Sequence, residues 1–263
     1  MYCFFPVISD PTQAHKVEVA MISCHRINGP FDPPPEGWVL DSGGYKQLTT
    51  RGPYRKSPKA YVQRVGRLER ETGGLLVAFH QDYPVSREVA EAVGISGDDW
   101  KDELMHRNWK RYLKTWMIWR RCPDVTVPIA PVLQGDAIRD YVDQARRLTQ
   151  MPGSESLVGI GGLKEQTVGK KMSRGKWLLE CVRRIRRAVP GIRGIHALGI
   201  GKREMCGRFG GALRRELWGS DSAAWSSAAR FGDEWTTGDN HDLINARAYR
   251  RQLYERSPLF DSR

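Results

Sequence analysis

The sequence predicts an α/β protein, a single-domain TIM-type (β/α)8 barrel over residues 1–263, and three observations carry that prediction. The length of 263 residues is one that a single α/β barrel commonly uses. Apolar, β-branched runs of strand length alternate with segments whose apolar residues recur at helical spacing. Several of those runs end in a polar or glycine-bearing signature, as expected where the strand ends of a barrel gather at one face.

Taken in order, strands are expected at residues 17–22, 38–40, 75–79, 125–133, 157–160, 194–198 and 217–218. Their continuous apolar character fits a parallel sheet buried on both faces. Helices are expected over 57–72, 98–121, 137–149 and 175–188. The longest carries Trp109, Tyr112, Trp116 and Trp119 at intervals of three and four, interleaved with Lys110, Arg111, Lys114, Arg120 and Arg121. A stripe of that period faces a core and turns its basic neighbours outward; stacking on bases is the alternative use. Seven strands are one short of a closed barrel, and the charged segment 245–256 reads either as a closing helix or as an arm for phosphates.

Composition narrows the function classes. Hydrophobic residues make up 40% and charged residues 27%, a globular balance. No run approaches the roughly 18 apolar residues of a membrane span. The N-terminus lacks the layout of a secretion signal, so no membrane partner and a cytoplasmic address are expected. The 42 Lys and Arg against 30 Asp and Glu leave a net charge of +12, and polyanions are the natural partners of such a chain. The five cysteines are scattered and form no C-x-x-C, so neither a disulfide framework nor a zinc ribbon is expected. His80, His196 and His241 have no Cys or His partner at ligand spacing, and no metal is assigned to them. There is no P-loop and no dinucleotide fingerprint, so no cofactor is expected.

The chemistry-bearing signatures are Asp41-Ser42-Gly43-Gly44-Tyr45, His80-Gln81-Asp82, Gln134-Gly135-Asp136, Gly161-Gly162-Leu163, Gly199-Ile200-Gly201 and Ser220-Asp221-Ser222. Singly each is ordinary: an Asp before Gly-Gly makes a turn, and an Asp before Ala-Ala-Trp caps a helix. In this order, however, they resemble the tRNA-guanine transglycosylase superfamily. Its D-S-G-G-F motif resembles residues 41–45, its Q-G-G 134–136, its G-G-L 161–163, its final G-V-G 199–201, and its D-S-A-x-Y 221–225. The resemblance runs from about residue 39 to 230.

That resemblance implies a base exchange with two carboxylates. Asp221 would attack the anomeric carbon, as in retaining sugar chemistry, and Asp41 would pass a proton to the departing guanine and take one from the incoming base. Asp82, Gln134 and the backbone at Gly161 and Gly162 would read the edge of the base. Ser42 would add a polar contact, and Tyr45 and Leu198 would stack on its faces.

The departures from the family pattern bear on the substrate. Tyr45 replaces Phe, Lys46 replaces Gln, and Asp136 replaces Gly. The zinc ligands of tRNA-acting members, three Cys and one His, have no counterpart, since no cysteine follows Cys206. The chain also ends at 263, short of the additional C-terminal RNA-binding domains of archaeal enzymes. The sequence is therefore more similar to the DNA-acting branch of bacteria and phages, the DpdA family, which implies exchange of guanine in DNA for a 7-deazaguanine base such as 7-cyano-7-deazaguanine. A bacterial or phage-infected cell would be its setting. Basic residues around the mouth, among them Arg51, Arg55, Lys56, Lys164, Lys170, Lys171, Lys202, Arg203 and Arg208, would hold phosphates. Two other readings stay open: a zinc-less tRNA-guanine transglycosylase, and an inactive nucleic-acid-binding partner subunit. No oligomeric state follows from the sequence.

Overall fold

The computed structural model describes residues 2–8, 10–153, 156–163, 172–200 and 202–222. Its strand segments are β1 (Cys3–Ile8), β2 (Ala20–Ser23), β3 (Trp38–Asp41), β4 (Leu75–Phe79), β5 (Ile129–Ala130), β6 (Val132–Leu133), β7 (Leu157–Ile160), β8 (Gly194–Ala197) and β9 (Gly219–Ser222). The helices are α1 (Gly44–Arg51), α2 (Pro58–Thr72), α3 (Arg87–Ala92), α4 (Trp100–Trp119), α5 (Ile138–Leu148), α6 (Arg174–Ala188), α7 (Lys202–Met205) and α8 (Gly210–Glu216). Every pairing is parallel, in the order β5-β4-β3-β2-β1-β9-β8-β7-β6. The first and last members of that order, β5 and β6, flank Pro131 in one stretch of chain. Counted as one stave they leave eight, and the sheet comes round on itself as a TIM-type barrel.

Proline has no N–H to give to a ladder, so it fits where pairing changes hands. Ahead of Pro131 the chain pairs with β4, and beyond it with β7. The N–H of Val132 finds the Nδ1 of His80 at 3.0 Å instead of a neighbouring carbonyl. The other ring nitrogen of His80 meets Asn108 Oδ1 at 3.1 Å; that oxygen also accepts from the N–H of Tyr83, and Asn108 Nδ2 donates to the Val132 carbonyl. Burial lowers the pKa of His80 to about 3, so the ring is neutral and donates through Nε2. A histidine of one signature thus stitches the barrel where a proline interrupts it.

The eighth stave is β1 at the N-terminus. Cys3–Ile8 reads poorly as a strand because Pro6 lies inside it, and proline demotes a run to an edge or a loop. Here Pro6 sits at another handover: residues 3–6 pair with β9, and Val7 and Ile8 with β2. The segment 245–256 lies outside the described residues. Three expected strands also shift: the first begins at Ala20 rather than 17, the fourth at Ile129 rather than 125, and the last occupies Gly219–Ser222 rather than 217–218, carrying Asp221 within it.

Strand alternation sorts the core into two compartments. Phe5, Met21, Val39, Val77, Phe79 and Val132 fill the barrel interior, whereas Phe4, Ile22, Leu40, Ala78, Leu133 and Ile195 pack outward under the helices. The aromatic stripe of α4 belongs to the outer compartment, with Tyr112 1% exposed and Trp109, Trp116 and Trp119 packed against it. The helices begin where their caps direct: Ser57 accepts from the N–H of Ala60 ahead of Pro58, and Ser173 from that of Lys176. Among the described residues no helix is long and apolar enough to cross a membrane.

Candidate functional site

The same alternation that fills the interior aims the polar residues at its upper end. Asp41 lies two residues beyond Val39, Gln134 two beyond Val132, and Ser23 two beyond Met21, so all three turn inward at the C-terminal ends of their strands. On β9, Gly219 faces inward, where an added Cβ would meet His196 Nδ1 and Phe5; Asp221, two residues on, faces the same way. Asp82 follows the end of β4 and is 6% exposed, as is Asp221.

Asp41 is held by the hydroxyl of Ser23, which donates to its Oδ2 at 2.6 Å. Loss of water raises its pKa to about 6, and the nearby charges of Asp82 and Asp221 push in the same direction. After Asp41 the chain turns through Gly43, whose φ of 73° is left-handed, and enters α1 at Gly44. A Cβ at Gly44 would stand 2.6 Å from the Tyr54 hydroxyl and 2.7 Å from Asp82 Oδ1. Each glycine of the motif therefore has a reason: one makes the turn, and the other lets the backbone approach Asp82.

Asp82 accepts from Ser42 Oγ at 2.8 Å on one oxygen and from Gln134 Nε2 at 2.7 Å on the other. Burial raises its pKa, against these two hydrogen bonds. The Gln134 Oε1 is buried without a partner. Gly161 makes room for this amide, since a Cβ there would lie 2.2 Å from Gln134 Nε2. Gly162, with a φ of 71°, turns the chain beside it. The Tyr141 hydroxyl sits 2.9 Å from the Gly161 carbonyl and 3.0 Å from that of Gly135, tying the two glycine loops together.

Asp221 is bound on the opposite side of the barrel mouth. His196 Nε2 is 2.9 Å from its Oδ1, and the N–H of Gly199 points at both oxygens from 3.3 Å. Leu198 is partly buried against the interior cluster. Tyr45 is 44% exposed, and its hydroxyl donates to Glu88 on α3.

The structure thus places Asp41, Ser42, Asp82, Gln134, Gly161, Gly162, Leu198 and Asp221 at or just beyond the C-terminal ends of the barrel strands, with Tyr45 in the first turn of α1 beside them. Arg51, Arg55, Lys56 and Arg208 are exposed, Lys202 and Arg203 open α7, and Lys164, Lys170 and Lys171 lie outside the described residues. So does 223–230, the last part of the resemblance. Sequence reasoning missed Ser23, Tyr54, Arg111 and Tyr141 as supports. Arg111 donates to Gln81 Oε1 at 2.6 Å and stacks 4.3 Å over the Tyr54 ring, whose hydroxyl donates to the Asp82 carbonyl. Parity could have found Ser23; the others depend on contacts between distant segments. Among the described residues no three His, Cys, Asp or Glu side chains are grouped to hold a metal ion.

A parallel barrel with carboxylates collected at the C-terminal ends of its strands has the layout of the (β/α)8 enzymes, whose active sites are built at that face. The family model for DeoxyPurine in DNA protein A, DpdA, matches residues 15–254. The chain belongs to that family, and with membership comes a transglycosylase role in DNA modification, with DNA as the substrate class. A search of curated proteins finds no match to the chain.

Proposed function

We propose that the protein exchanges guanine in DNA for a 7-deazaguanine base such as 7-cyano-7-deazaguanine, as a pentosyltransferase working through a covalent Asp221–sugar intermediate. The observation that supports it best is the meeting of three carboxylates in unlike settings. Asp41 has a pKa raised to about 6 by burial, Asp82 is locked to Ser42 and Gln134, and Asp221 is held by His196 and Gly199. A carboxyl whose pKa lies near the working pH can both give and take a proton.

In the first step an Asp221 oxygen bonds to C1′ of the deoxyribose as the C1′–N9 bond breaks. Its electron pair leaves with guanine, which takes a proton from Asp41. In the second, the incoming base gives its N9 proton to Asp41, N9 bonds to C1′, and the Asp221 carboxylate departs. Asp82 accepts from the ring N–H and exocyclic amine of either base, with Gln134 and the Gly162 N–H turned to its carbonyl, once Gln134 releases Asp82. Leu198 and Tyr45 cover the faces of the base. A guanine within a duplex must be flipped out to reach this mouth, and Lys164, Lys202 and Arg203 hold the backbone phosphates.

The test is incorporation of labelled 7-cyano-7-deazaguanine into duplex DNA and, in parallel, into unmodified tRNA, by wild type and by Asp221→Ala. Incorporation into DNA alone, lost in the variant, is the expected result. Incorporation into tRNA alone would move the substrate to the zinc-less tRNA reading. No incorporation into either would favour the binding-partner reading.

A further inference from the structure

Among the described residues His196 is the one imidazole in the barrel interior beside a candidate nucleophile, and its surroundings are unlike those of an ordinary core histidine. Its side chain is 0% exposed. Three apolar rings enclose it, with centroids 5.8 Å (Phe5), 5.2 Å (Phe79) and 5.8 Å (Trp218) away. Gly219 keeps the space open, since a Cβ there would be 3.0 Å from His196 Nδ1. That Nδ1 has no hydrogen-bond partner, while Nε2 reaches Asp221 Oδ1 at 2.9 Å.

Those two nitrogens determine the protonation. Asp221 as a carboxylate can only accept, so Nε2 carries the hydrogen. Nδ1 faces the apolar rings and has no partner among the described residues. The hydrogen bond from Nε2 stabilises the negative charge on Oδ1. It is also directional: Oδ1 is occupied by the imidazole, while among the described residues Oδ2 has only the longer contact from the Gly199 N–H.

We infer that His196 is a positioning residue for Asp221: it fixes Oδ1 and presents Oδ2 as the oxygen that bonds to C1′. This rests on the proposed base exchange and adds to it which oxygen reacts and what orients it. The Nε2 hydrogen stays on His196 throughout. As the C1′–Oδ2 bond breaks in the second step, negative charge returns to the carboxylate and the same hydrogen bond stabilises it.

The experiment compares His196→Leu, His196→Gln and Asp221→Ala with wild type in the DNA exchange assay, across pH, with unfolding followed for each variant. A hydrogen bond to a charged group predicts a loss of roughly 10- to 100-fold in kcat for His196→Leu, with KM for the incoming base little changed. Gln places an N–H near the position of Nε2 and should restore most of the rate. Nitrogen-15 shifts should show Nε2 as the nitrogen that carries the hydrogen in the resting wild type, a reading that needs no turnover. Exchange at the wild-type rate in His196→Leu, with exchange lost in Asp221→Ala, would overturn the inference and leave the proposed function standing. A ring with its hydrogen on Nδ1 and none on Nε2 would overturn it as well. Wild type without any exchange would overturn both.

Discussion

Replacing Asp41 with Asn swaps an ionisable carboxyl for an amide of the same size, and the amide oxygen can still accept from Ser23. What changes is the proton. In the unfolded chain the carboxyl titrates near its ordinary 3.8, and in the fold near 6. A group whose pKa is raised by folding contributes stability that is complete below the unfolded value and is lost as pH rises through the folded one. Two pH units correspond to about 3 kcal/mol in all, and the part lost between about pH 5 and pH 7.5 is about 1.4 kcal/mol. Urea unfolding of wild type and Asp41→Asn at those two pH values isolates this part, since other titrations cancel when the variants are subtracted. Relative to Asp41→Asn, the wild type should lose about 1.4 kcal/mol between the two. An offset that stays constant within roughly 0.5 kcal/mol would refute a raised Asp41.

The buried His80 predicts the opposite slope. Its folded pKa lies near 3 against an ordinary 6.5, so its contribution is full above about 6.5 and declines as pH falls, by up to about 1.4 kcal/mol per unit; His80→Gln should flatten that decline in denaturant titrations. Asn108→Ala strands His80 Nε2, the Tyr83 N–H and the Val132 carbonyl, and urea unfolding should show a loss of roughly 2–4 kcal/mol. Gly161→Ala puts a methyl 2.2 Å from Gln134 Nε2, so exchange assays should show KM for the incoming base rising about tenfold or more, while thermal unfolding moves little. Tyr141→Phe removes the hydroxyl that meets the carbonyls of Gly135 and Gly161 and should cost roughly 1–3 kcal/mol in the same unfolding assay.

The continuous apolar, β-branched runs are written locally, and they determined where most staves lie and which ends carry the polar signatures. The same locality makes the glycines of the Asp41 and Gly161 signatures readable, because a turn or a close approach restricts one position at a time. Asp41, Asp82, Gln134 and Asp221 could be listed together from the sequence alone. What the sequence did not disclose follows from neighbours far apart in the chain. Cys3–Ile8 becomes a stave only because β9 and β2 lie on its two sides, so Pro6 falls where pairing changes hands. His80 precedes Asp82 in a signature, yet its work is to replace a ladder bond beyond Pro131. The Tyr45 hydroxyl donates to Glu88, 43 positions away on α3. His196 and Asp221 are 25 positions apart, and Ser42 and Asp82 are 40 apart. The lateral pairing of β3 with β4 and of β8 with β9 makes each of them a pair. Closure also removes the water around Asp41, and a pKa depends on that removal and on the charges across the mouth, neither of which a linear sequence contains.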